Sequence, residues 1–124
     1  MESKNNHSAL AIVTAYHQCW TSKNYAQAAT YLDDSIQFEM PIHEYQNKEE
    51  FMNAVKFTGN AASAITLLAE LGNEEEAVLI YDFTFAPIGP MRIAEHFKTK
   101  NGKIVHIRHI HDTYGLRNAG FGNS

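Results

Sequence analysis

Met91-Arg92-Ile93-Ala94-Glu95-His96-Phe97-Lys98-Thr99-Lys100-Asn101-Gly102-Lys103-Ile104-Val105-His106-Ile107-Arg108-His109-Ile110-His111-Asp112 consists of two runs rich in β-branched and aromatic residues on either side of Asn-Gly. Asn-Gly is the strongest short hairpin signal, because a type I′ turn needs positive φ at both central residues. The stretch is therefore read as two paired antiparallel strands. One glutamate, four histidines and two arginines lie among the apolar positions, an unusual content for a purely structural hairpin. Side chains alternate between faces along a strand, so parity sorts them. Val105, Ile107, His109 and His111 share one face of the last strand, and Ile104, His106, Arg108 and Ile110 the other. On its partner Ile93, Glu95 and Phe97 oppose Ala94, His96 and Lys98. Glu95, His109 and His111, if they face inward, mark the place for chemistry.

Working back towards the N-terminus, Ala9, Ile12, Val13, Tyr16, Cys19 and Trp20 recur at helical spacing and present one stripe to a core. Asn24-Tyr25-Ala26-Gln27 has the form of a capping box opening a short helix through Leu32. Ser35–Met40 alternates Ile36, Phe38 and Met40 against Gln37 and Glu39, a strand that Pro41 stops. Ile42–Gln46 reads as loop. Asn47-Lys48-Glu49-Glu50 is a second capping box, starting a helix with Phe51, Met52 and Val55 on its buried side. Ala64–Leu71 and Ala77–Ala86 follow as strands, with a turn at Gly72-Asn73. Three helices ahead of a mostly antiparallel sheet make an α+β layout. A strongly curved sheet wrapped over them encloses a cone-shaped cavity, the usual kind of small-molecule site.

The chain has 124 residues with 14 acidic against 10 basic side chains, enough for one domain with one core. The expected division is a loose N-terminus over 1–7, one domain over 8–116 and a loose tail over 117–124. The charge balance offers no footprint for nucleic acid and no polybasic patch for a membrane. No apolar run is long enough to span a bilayer and no secretory signal is evident. The single cysteine, Cys19, can form no internal disulfide. A cytoplasmic location follows as the expectation.

Glu95 with His109 and His111 reads as a general acid/base group, since a carboxyl group raised by burial beside imidazoles can titrate near neutrality. Asp82 joins them if it shares their face. The bland alternative is a hydrogen-bonded polar cluster at a cavity rim. A metal is not expected, because parity separates His106 from His109 and His111 and leaves too few convergent ligands. Trp20, Met40, Phe57, Ile80, Ile93 and Ile107 are the expected apolar lining of the cavity, with Thr84 and His111 as its polar contacts. The stripe Leu79, Tyr81, Phe83, Phe85 has no helix left to cover it and is expected to be a partner surface, pairing two copies of the chain through the outer sheet face.

Ala15-Tyr16, Ser22-Lys23-Asn24-Tyr25, Leu32-Asp33-Asp34-Ser35-Ile36-Gln37-Phe38 and Phe97 leading into Asn101-Gly102-Lys103-Ile104 together resemble the nuclear transport factor 2-like superfamily, in its SnoaL-like and ketosteroid-isomerase-like branch. The resemblance runs over about residues 8–113. It implies a cystatin-like cone, and often a homodimer through the outer sheet face, here Tyr81, Phe83 and Phe85. It also implies Tyr16 as an oxyanion-stabilising phenol and places Asp82, Thr84, His109 and His111 on the cavity face. The family's base carboxylate falls on Met40, which cannot take a proton, so Glu95 is the carboxyl group left for that work. Two functions remain open. One is a cofactor-independent acid/base enzyme of isomerase, cyclase or hydrolase type acting on a small apolar or carbonyl-bearing molecule. The other is a non-catalytic ligand-binding or dimerisation module of the same fold.

Overall fold

The computed structural model describes residues 8–86 and 88–120. The expected loose N-terminus over 1–7 lies outside the described residues, as does the end of the expected tail, 121–124. Helix α1 spans Ala9–Thr21 and α2 Tyr25–Ala29; β1 follows at Leu32–Glu39, then α3 at Lys48–Ala61. The strands β2 (Ala62–Gly72), β3 (Glu76–Phe85), β4 (Gly89–Lys100) and β5 (Lys103–Ile110) complete the sheet, and a short α4 occupies Tyr114–Asn118. The spatial order is β1-β5-β4-β3-β2. β1 runs parallel to β5, and every other pair is antiparallel.

Local chemistry explains where the elements begin. The Ser8 hydroxyl accepts from the Ala11 amide at 3.2 Å and starts α1. Asn47 accepts from the Glu50 amide at 2.9 Å, and the Glu50 carboxylate reaches back to the Gln46 amide at 2.9 Å, so the second capping box forms one residue wider than its simplest version. The first does not form. Asn24 makes no side-chain cap; its backbone amide instead donates to the Cys19 carbonyl at 2.8 Å. With Lys23 at φ 68°, the backbone itself closes the reversal that leads into α2. Asn101 and Gly102 have φ of 53° and 79°, the paired positive values that the hairpin turn requires.

The core lies between α1, α3 and the concave face of the sheet. Ala9, Val13 and Tyr16 of α1 meet Leu79, Phe97 and Ile107 of the sheet, with Tyr16 edge-on to Phe97 at 6.1 Å. Close approach of α3 to α2 depends on Gly59: a Cβ there would come within 2.3 Å of the Tyr25 hydroxyl oxygen.

One expectation is reversed. Leu79 pairs with Glu95, Tyr81 with Ile93 and Phe83 with Met91. The Leu79–Phe85 stripe therefore shares the concave face with Glu95, where it had been expected on the outside. Tyr81 is only 4% exposed and packs against His17 at 4.9 Å and Trp20 at 5.9 Å. Tyr81, Phe83 and Phe85 thus face into the cone and do not form its outer face. Ile80, Asp82 and Thr84 point the other way, and Asp82 is held by Arg92 in a two-pronged ion pair at 2.8 and 2.9 Å. The stripe lacks a covering helix because it is the wall of a cavity.

Candidate active site at the closed end of the cone

Glu95 sits in the middle of β4 and is 2% exposed. His109 of β5 stands directly opposite, and its Nε2–H donates to Glu95 Oε2. The other carboxylate oxygen, Oε1, is buried and has no hydrogen-bond partner among the described residues. A buried acceptor left unpaired costs about 1–3 kcal/mol, more for a charged group. It is therefore a position at which a ligand proton is welcome.

Two phenols flank this carboxylate. Tyr16 projects from α1 and Tyr81 from β3, both buried. Burial, and then the charge of Glu95, hold the Tyr16 phenol well above its ordinary pKa. Burial raises Tyr81 in the same way, followed by Glu95 and then Tyr16. Both remain protonated donors through the physiological range. His17, buried between Trp20 and Tyr81, has its pKa lowered chiefly by burial and leaves Nδ1 without a partner among the described residues.

Tyr16, Trp20, Tyr81, Glu95 and His109 line a cavity of about 60 Å³ at the closed end, room for a water-sized group or a ligand oxygen. Tyr45, Ala54, Thr58, Tyr81 and His109 also line the adjoining chamber, about 360 Å³, whose walls are Phe57, Phe83, Phe85, Met91 and Ile93. That size suits a small organic ligand, and the chamber is mostly apolar with few polar groups, as such sites are. Leu116 of α4 closes part of its mouth. On another side, an open groove of about 730 Å³ runs along the ends of β1 and β5, past Glu39, His43, Glu44, Arg108 and His111. His109 borders all three spaces.

The expected residues thus divide. Glu95, His109 and Tyr16 come together, with Trp20 beside them. Phe57, Ile93 and His111 line the chamber, and Met40 lines the groove. Ile107 is fully buried in the core behind the site. Asp82, Ile80 and Thr84 are on the convex face, one residue out of phase with the cavity. His106 lies there too, bound through Nε2 to Glu39 at 2.7 Å. Beside it Arg108 donates to His96 Nδ1 at 3.1 Å and, in a fork, to Glu39 at 3.2 and 2.9 Å. His96 must then carry its proton on Nε2, which donates to Glu76 at 2.7 Å. The convex face carries a connected polar network, and Glu39 and Arg108 at its end also line the open groove. Tyr81, Tyr45, Thr58 and His43 were not anticipated as lining. Correct phasing of β3 would have revealed Tyr81, but Tyr45 and His43 lie in a loop that carries no periodicity.

A curved sheet closed by helices over a polar apex is the architecture of the NTF2-like class. A SnoaL-like domain matches residues 13–107, and the chain belongs to that family. Its fold is similar to a crystal structure from Kribbella flavida, with TM-score 0.84 and 24% identity over 90% of this chain and 93% of that one. It is also similar to an NTF2-like protein from Cytophaga hutchinsonii, with TM-score 0.75 and 15% identity over 89% and 95%. A steroid delta-isomerase from Pseudomonas aeruginosa matches with TM-score 0.76 and 13% identity over 92% and 87%. No curated protein matches at a significant level. No helix among the described residues is long and apolar enough to cross a membrane.

Proposed function

We propose that this protein is a cofactor-independent acid/base enzyme that moves a proton on a small, neutral, carbonyl-bearing molecule held in the apolar chamber. The observation that carries the reading is the buried, unpartnered Oε1 of Glu95, whose side chain lines the small cavity adjoining that chamber, with His109 bound to the other oxygen. Oε1 accepts a proton from the carbon beside the carbonyl. His109 keeps the carboxylate oriented through Nε2–H. The negative charge that develops on the carbonyl oxygen is met by the protonated phenols of Tyr16 and Tyr81, donors already in place in a site shielded from water. Placement of the Tyr16 and Tyr81 phenols, one carboxyl and one imidazole around a single small space supports this division of roles. Kinship in fold with a steroid delta-isomerase is consistent with it.

The test is solvent deuterium incorporation beside the carbonyl of a panel of neutral cyclic ketones, followed by NMR in heavy water. Wild type should label at least one ketone that it binds, whereas Glu95→Gln should bind the same ketone and label it no faster than buffer. Binding without labelling by the wild type would favour the other function, a ligand-binding module.

A further inference from the structure

The acid/base pair is reached from two sides, and the two sides differ in chemistry. One approach is the apolar chamber. The other is the open groove, whose polar lining includes His43, Glu44, Arg108 and His111. His109 Nε2 is committed to Glu95, and its Nδ1 has no hydrogen-bond partner among the described residues. His111 lies two residues further along the chain on the same side, and like His109 it borders both chamber and groove. Its own Nδ1–H donates to the Asp112 carbonyl at 3.1 Å, which leaves Nε2 as a free acceptor.

We propose that the groove is the proton door of the site and that His111 passes protons between water and His109, so that a ligand filling the chamber does not seal the pair off from solvent. The inference rests on the reading of Glu95 and His109 as the acid/base pair. A proton from water is taken up at His111 Nε2, and the imidazolium so formed releases it to His109 Nδ1. His109 in turn yields its Nε2 proton to Glu95 and keeps the new proton on Nδ1. From that tautomer a proton taken from substrate passes from Glu95 to the bare Nε2 of His109, whose Nδ1 proton leaves through His111 to water. The relay needs an imidazole that is neutral at rest and close to solvent. Burial, the main influence on His111, lowers its pKa and keeps it so, while Asp112 acts in the opposite sense and His109 and His43 in the same. Glu39, Glu44, Tyr45 and Arg108 are the other ionisable groups on the groove, and Arg108 and Glu39 are occupied with each other. His111 therefore acts through His109 as a positioning residue and does not touch the reacting carbon.

The experiment follows the downfield Nε2 proton of His109 by NMR and measures its exchange with water, with and without 1-naphthol filling the chamber. Occupancy is read from the Ile93 and Met91 methyl signals. The wild-type rate should stay within about twofold when 1-naphthol is bound, and both His111→Phe and His111→Gln should slow it by at least about tenfold, since neither replacement can shuttle a proton. A His111→Gln protein that exchanges like wild type would overturn the relay, as would a wild type whose exchange is stopped by 1-naphthol. If 1-naphthol fails to bind, the ligand-cavity reading falls, while the two substitutions still decide the role of His111.

Discussion

Leu79 on β3 stands opposite Glu95 on β4, and that pairing sets which residues the cavity receives. It places Tyr81 beside the acid/base pair and Phe83 in the chamber wall, and removes Asp82 to the convex face. Shifting the pairing by one residue would exchange the two sets completely.

The phase has a direct consequence. Phe83→Glu should place a charge in the chamber and abolish binding of 1-naphthol or a cyclic ketone. Asp82→Asn, one residue away, should leave binding and the unfolding midpoint essentially unchanged, because it loses only an exposed ion pair with Arg92. Isothermal titration of both variants with the same probe checks the pair. Equal effects would contradict the phase.

Part of this is legible in the chain itself. The bulge between Thr99 and Lys98, which shifts the ladder by one and brings His109 opposite Glu95, carries no residue signal, whereas the Asn101-Gly102 hairpin that opens the ladder, with Lys100 opposite Lys103, could be read directly. The phase of β3 against β4 could not. Val78 and Ile80 on one face of β3 are as apolar as Leu79 and Tyr81 on the other, so alternation gives no preference, and the Ala86–Ile88 connection has no residue signal as decisive as Asn-Gly. The groove was hidden for a different reason. Its walls at His43, Glu44 and Tyr45 come from a loop whose path is set by packing, with Tyr45 edge-on to Phe38 at 5.9 Å and Phe51 at 5.6 Å.

The two capping motifs look alike in sequence and should behave differently in solution. Asn47→Ala removes a made cap and should cost about 1 kcal/mol of stability. Asn24→Ala removes no side-chain cap and should cost much less. Urea denaturation of the two variants measures the difference.

Stability should also fall on mild acidification. Burial lowers the His17 pKa below its ordinary 6.5 in the folded state. Below that ordinary value the unfolded chain therefore binds a proton that the folded one refuses, and stability declines as pH drops from about 7 to the folded pKa. His111 adds to the same trend. The carboxylates of Glu39, Glu76 and Asp82, held below their ordinary values by their bonds to Arg108, His96 and Arg92, lose their contribution only at lower pH, as each is protonated through its folded pKa. His17→Leu should flatten the upper part of the profile and leave the acid limb in place, as read by denaturation across the pH range.

The central claim is that Glu95 and His109 work as one unit on a proton of the bound ligand. Its most direct measurement is the rate of deuterium labelling of a bound cyclic ketone in Glu95→Gln, His109→Asn and the double variant. Residues acting as a unit give losses that do not add. Each single change should therefore lower the rate about as far as the two together, with ketone binding retained in all three. Losses that multiply in the double variant, or a Glu95→Gln protein that labels the ketone at the wild-type rate, would contradict the account.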